Sequence, residues 1–218
     1  MEWKDDFPST NDVLRTDKEF SEMSDEEHHL ERSPLCDLPI GMVTQFPIDY
    51  MHFVCLGVTR RLILCWMKGP VGTRLGATQV SQVSDRLVGL TPYIPNDFCR
   101  KPRALSEVMR WKASEFRQFL LYTGPVVLHG ILSDLLYKNF LLLSVAIRIL
   151  TSSVLCHRLN EYAKQLLIVC GENMKTIYGT GIMVYNVHAL IHLSDDVKKF
   201  GPLDNFSSFP FENALKNI

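Results

Sequence analysis

No stretch of this sequence supplies the ~18 uninterrupted apolar residues of a membrane span; the best, residues 135–150, is broken by Lys138 and Arg148. A membrane partner is therefore not expected. The acidic N-terminus has no signal-peptide core. The six cysteines (36, 55, 65, 99, 156, 170) form no CxxC pair and sit mostly among apolar residues. They read as buried reduced thiols, not as a disulfide framework. No GxxxxGK[ST] loop, GxGxxG turn or GxSxG elbow is present, which removes the commonest phosphate cradle, dinucleotide fold and serine-hydrolase patterns. Alternation of period two never persists for a strand's length, and there is no internal repeat or low-complexity tract.

What is present is ordinary globular material: 218 residues, 46% hydrophobic and 22% charged, with 23 basic and 24 acidic side chains and a net charge of −1. That composition argues against disorder over most of the length, and the length suits one domain or a domain plus an appendage. The near-zero total conceals an asymmetry. Residues 1–37 hold 12 acids and 4 bases, net −8, leaving 19 bases and 12 acids, net +7, for the rest. A basic body is compatible with a nucleic-acid partner and equally with a solvated helical surface rich in Lys and Arg.

Helical periodicity dominates. Met51, Val54, Cys55, Val58, Leu62, Cys65 and Trp66 follow three- and four-residue steps, predicting a helix over 48–68 that Gly69-Pro70 ends. Further helices are predicted over 78–90, over 106–122 up to Gly124-Pro125, over 128–150 (apolar nearly all round, hence central and buried), over 154–178 and over 183–200. A short helix start is expected at Ser24 with Glu26 and Glu27, and residues 206–211 form an aromatic connector. The expected architecture is an all-α bundle of about six to eight helices. It divides into an acidic irregular leader (1–37), a helical domain (38–205) and the start of a helix (206–218). Val54, Leu62, Trp66, Trp111, Phe119, Leu141, Val145, Ile149, Leu166, Leu190 and Phe211 are the expected core.

Four groups carry chemistry. Asp49 and His52, at i and i+3, share a helix face, so the carboxylate can orient the ring, or simply start the helix beside a half-buried histidine. His188, His192, Asp195 and Asp196 line one polar flank. Ala189 stands where HExxH needs Glu, so the group is either a polar helix face or, through His188 and His192, a partial metal site. Arg100, Lys101 and Arg103 with Arg110, Trp111, Lys112 and Arg117 form the densest basic patch. Its cations neutralise phosphates if DNA is bound there, and Trp111 either stacks on a base or anchors the core. Glu212, after an aromatic turn, is either a first-turn acid or a metal-binding carboxylate.

Three segments taken together, FPIDYMHFVCLGVTRRL, RKPRALSEVMRWKASEFRQFLLYTGPVVL and YNVHALIHLSDDVKKFGPLDNFSSFPFEN, resemble the transposases of eukaryotic cut-and-paste elements. They are most similar to the CACTA (En/Spm-like) group and the transposase-derived proteins of animal genomes, from about residue 17 to the end. The resemblance implies a ribonuclease H-like DDE core whose Asp, Asp and Glu hold paired Mg²⁺ or Mn²⁺ ions for DNA strand cleavage and transfer. By that correspondence Asp49 and His52 are the D-x-x-H signature that follows the second Asp. Residues beyond it are the helical insertion, Arg110-Trp111 is the insertion's Arg-Trp pair, and Glu212 is the catalytic and metal-binding Glu. The two catalytic Asp residues would lie upstream of Met1 with most of the core sheet. One carboxylate cannot position two metals. The helix opening at Phe211 is also cut short, so a fragment or an eroded reading frame is expected, inactive alone and without bound metal. Its expected partners are DNA and other transposase chains, and its expected compartment is the nucleus, with the cytoplasm as the alternative. The alternative is a domesticated helical interaction module without DNA chemistry.

Overall fold

A computed structural model of the protein describes residues 15–24 and 30–215. The chain divides into two compact units, Met1–Ile48 and Asp49–Ile218. The described residues are mainly helical and include no strand, as the periodicity requires. None of their helices is long and apolar enough to cross a membrane.

In the first unit α1 (Asp17–Ser21) is started by a reciprocal cap: the Glu19 N–H donates to Thr16 Oγ1 at 3.2 Å, and the Thr16 N–H donates to the Glu19 carboxylate at 2.8 Å. Asp17 then accepts the backbone N–H groups of Val43 (2.6 Å) and Thr44 (2.9 Å). The described part of the leader thus holds a capped helix. Glu26 and Glu27, where a helix start is expected, lie outside the described residues.

The second unit opens with a π-helical stretch, Met51–Thr59, running directly into α2 (Arg60–Lys68). α3 (Ala77–Gly89) follows a short loop, and its Gln79 amide bonds both the Gly76 N–H and the Ile131 carbonyl at 3.0 Å. The helix expected over 106–122 is broken. A 3₁₀ segment (Leu105–Arg110) ends in extended Trp111 and Lys112 before α4 (Ala113–Gln118) begins. Nor does Gly124-Pro125 end it. A second π-helical stretch (Phe119–Thr123) passes into α5 (Gly124–Val127), which has proline in its first turn. Proline lacks an N–H and crowds the carbonyl four residues back; the wider π turn, in which the Gly124 N–H reaches the Phe119 carbonyl, relieves that conflict. Gly124 also lets Phe140 approach. A Cβ there would stand 2.5 Å from the Phe119 oxygen and 2.8 Å from the Phe140 ring.

The central helix α6 is shorter than expected, Asp134–Thr151, and packs most extensively on α8 (Asn160–Tyr178), with α7 (Leu155–Arg158) between them in sequence. It is not buried all round. Val145 is 42% exposed and Leu141 half-buried. The reason is spacing: Lys138, Val145 and Arg148 fall on one solvent-facing stripe. α8 and α10 (Leu193–Phe200) end at Gly179 and Gly201, both with positive φ. Between them lie α9 (Tyr185–His188) and a 3₁₀ turn, Ala189–His192.

A chain of aromatic contacts ties the core together. Trp66 meets Phe140 edge-on at 5.6 Å, Phe140 meets Phe119 at 5.9 Å, and Phe119 meets Trp111 at 5.7 Å. Trp66 also donates its indole N–H to the Tyr178 hydroxyl at 2.8 Å, which satisfies its one polar atom. Of the expected core, Val54, Leu62, Trp66, Trp111, Phe119, Ile149 and Leu190 are buried, Leu166 is half-buried, and Phe211 is 71% exposed.

Candidate functional site

The second unit begins at Asp49, directly before the π-helical stretch. Helix starts leave N–H groups without intrahelical partners. The Asp49 carboxylate accepts two of these, from Met51 (3.3 Å) and His52 (3.1 Å). It also contacts His52 Nδ1 through the same oxygen that accepts the His52 N–H, which fixes the ring's orientation. Its other oxygen accepts the Ser208 N–H at 2.8 Å. Burial pushes the Asp49 carboxyl up, but the bonds from the Ser208 N–H and from the His52 ring and N–H outweigh it, so its pKa lies below the ordinary value.

Ser208 leads into the last helix, α11 (Phe209–Leu215). Phe209 packs edge-on against Tyr50 at 6.2 Å. Phe211, not Phe209, is the residue expected in the core. Because the helix starts at Phe209, Phe211 lies about 200° further round and turns to solvent, whereas Glu212, three residues on, returns to the side of Phe209. Glu212 Oε1 therefore stands 3.7 Å from His52 Nε2. The fold brings Asp49, His52 and Glu212 together. The imidazole bridges two carboxylates, one held on Nδ1 and one at ion-pair distance from Nε2. The exposed side of this group, with His52 and Glu212 about half-accessible, faces solvent.

Sequence reasoning missed the group behind this site. Tyr50 and Cys55 are fully buried beside Arg117, which is paired with Asp204 at 2.7 Å. Burial raises the Tyr50 hydroxyl well above its ordinary value and the Cys55 thiol to about 12. The signal was spacing: residues five apart share a face in a π-helix, not in an α-helix.

The basic patch separates into two sets. Arg103 binds Glu115 through Nε (2.6 Å) and Nη2 (2.8 Å) and also reaches Glu107 and the Arg110 carbonyl. Arg117 is committed to Asp204. Lys101 donates to the Ile94 carbonyl at 2.5 Å. Trp111 is 6% exposed and packed against Phe116 and Phe119. Of the two roles open to it, base stacking and core anchor, the burial of its ring supports the second and removes Trp111 from the candidate DNA-binding set. Arg100, Arg110 and Lys112 are exposed, with no carboxylate partner among the described residues.

The His188 and His192 rings meet edge-on at 5.4 Å. Burial, with His188 nearby, lowers the His192 pKa. Asp195 does not join them as a ligand, because both its oxygens bind Lys164 (3.0 and 2.9 Å). Among the described residues no group of three or more His, Cys, Asp or Glu side chains is arranged to hold a metal ion. No family model, curated protein or solved structure matches the chain.

Proposed function

We propose that this chain is a transposase-derived protein of the CACTA (En/Spm-like) type. On this reading it comprises the helical insertion region of a ribonuclease H-like DDE transposase and the segment bearing its last active-site acid. The observation that carries the reading is the meeting of Asp49 and His52 with Glu212, residues far apart in sequence. A DDE centre must gather its acids around two cations, so a signature beside one acid and a second acid beyond a long helical insertion ought to converge. Glu212 is then the acid that contributes to a Mg²⁺ or Mn²⁺ site in the intact family, and His52 its oriented neighbour. Alone, one such carboxylate holds no metal pair, so the chain contacts DNA without cutting it. The contact runs through Arg100, Arg110 and Lys112. The compartment is nuclear, and other transposase chains are natural partners.

The reading is tested by incubating the chain with supercoiled DNA and Mg²⁺ or Mn²⁺, beside Glu212→Ala and the triple variant Arg100→Ala, Arg110→Ala, Lys112→Ala. Retarded but intact DNA is expected, with retardation lost in the triple variant and kept in Glu212→Ala. Glu212-dependent nicking, or retardation indifferent to the three cations, would refute it. A helical interaction module without DNA chemistry is the second reading, favoured by the exposed Leu135, Val145, Tyr162 and Val169 on α6 and α8; it expects no retardation at all.

A further inference from the structure

The junction between the π-helical stretch Met51–Thr59 and α2 borders a cavity of about 270 Å³ that the Asp49–His52–Glu212 group does not touch. Arg60, Arg61 and Asn186 supply its polar lining, and Leu64 and Val184 are among its apolar walls. The charge here is uncompensated. Arg103 and Arg117 each hold a carboxylate, whereas neither Arg60 nor Arg61 has one among the described residues. Arg61 donates one Nη2 bond to the Gly181 carbonyl at 2.5 Å, and its Nε is buried with no acceptor. Arg60 donates to the Met109 sulfur at 3.8 Å and to no oxygen or nitrogen among the described residues. Guanidiniums ordinarily find carboxylate or phosphate acceptors, so two of them without a carboxylate at one pocket mark a place for an acceptor from outside.

The third donor sits in room that a glycine leaves. Asn186 sits so close over Gly57 that any Cβ there would collide with its amide nitrogen. Two arginines and an amide side chain thus line one small pocket with apolar sides. A carboxylate would offer one charge and two oxygens. A phosphate ester offers up to two charges and several non-bridging oxygens, the better match to adjacent guanidiniums.

We infer that this cavity binds a phosphate ester, with Arg60 and Arg61 on the phosphate oxygens, Asn186 donating a further bond, and Leu64 and Val184 against the esterified group. The phosphate belongs either to a free nucleotide-sized ester or to a DNA backbone; the chemistry of the site is the same. The inference does not depend on descent from a transposase.

The full chain is titrated by calorimetry and thermal shift with inorganic phosphate, thymidine 5′-monophosphate, thymidine, acetate and a short DNA duplex. Phosphate and the monophosphate should bind and raise the melting temperature, while thymidine and acetate should not. Arg60→Gln breaks no oxygen or nitrogen bond in the free protein. It should therefore melt like the parent while binding the monophosphate about tenfold more weakly, the loss of one charge-assisted contact. Asn186→Ala should weaken it as well. Monophosphate that displaces the duplex identifies a backbone phosphate as a ligand of the cavity; monophosphate binding that leaves the duplex undisturbed assigns the cavity to free esters. Either result supports the inference, and the second does so even if the DNA reading fails. Equal binding of thymidine and its monophosphate, unchanged affinity in Arg60→Gln, or no response to either phosphate probe at about 10 mM would overturn it.

Discussion

Replacing Arg103 by methionine would leave the Glu115 carboxylate, whose side chain is 3% exposed, with the Lys112 backbone N–H at 2.8 Å as its remaining partner. The parent protein gives that carboxylate two parallel bonds from one guanidinium, at 2.6 and 2.8 Å. Removing one member of a buried pair costs about 3–5 kcal/mol. Arg103 keeps 29% of its side chain in water, which screens part of the attraction, so about 2–3 kcal/mol is the appropriate figure here. For a chain of this size that corresponds to a drop of about 5–10 °C in melting temperature. The double variant Arg103→Met, Glu115→Met removes the stranded charge and should recover most of the loss, since apolar replacement of a buried pair is often neutral. Urea unfolding of the three proteins, followed by far-UV circular dichroism, measures the cycle. The reasoning fails if Arg103→Met is as stable as the parent, or if the double variant is no better than the single. The same pair of variants separates scaffold from binding surface, because Arg103 is occupied within the fold and its loss should leave the salt dependence of DNA binding unaltered.

Asp49→Ala should release the Ser208 turn and loosen α11, seen as faster amide exchange at 208–212 and a stability loss of about 1.5–3 kcal/mol, the range for hydrogen bonds to a charged group. Because the folded-state pKa of Asp49 lies below its unfolded value, its contribution is present above about pH 4 and disappears as pH falls through the folded pKa. The gap between parent and Asp49→Asn should therefore narrow under acid in urea titrations at neutral and low pH. Gly124→Ala drives a methyl into the Phe119 carbonyl and the Phe140 ring and should cost about 1–3 kcal/mol, measured by thermal unfolding. Exposed Cys99 should react with a thiol reagent at mild alkaline pH, whereas Cys55 and Cys170, buried and raised to about 12, should stay unmodified until the chain unfolds; mass spectrometry of the labelled peptides decides.

Helix content and most helix ends were legible because their causes are local. Gly69-Pro70 ends α2, and Gly179 and Gly201 end α8 and α10. Thr16-Asp17-Lys18-Glu19 carried a capping-box signature that periodicity passes over, as α1 is too short to show any. Gly124-Pro125 misled because a proline stops an α-helix but is accommodated after a π turn, and the register of backbone hydrogen bonds is not written in side-chain spacing. The solvent stripe of α6 was visible in Lys138 and Arg148, whose spacing to Val145 places all three on one side.

The candidate site was legible as residues and not as a place. Asp49 and His52 announced their pairing by an i, i+3 spacing. That Glu212 would join them depends on where α11 starts, and the two-residue difference between Phe209 and Phe211 decides which aromatic docks on Tyr50. Conversely, the basic patch looked uniform in sequence, while the fold takes up Arg103 and Arg117 with partners at Glu115 and Asp204. Asp204 is far from Arg117 along the chain, and no local pattern links the two.

The most direct test of the account is the affinity of the chain for a labelled DNA duplex, measured by fluorescence anisotropy from about 50 to about 200 mM salt. A steep fall is expected, with the slope of log affinity against log salt reduced by about three in the variant lacking Arg100, Arg110 and Lys112, one unit for each lost phosphate contact. An affinity that does not change with salt, or a slope that survives the loss of all three cations, would contradict it.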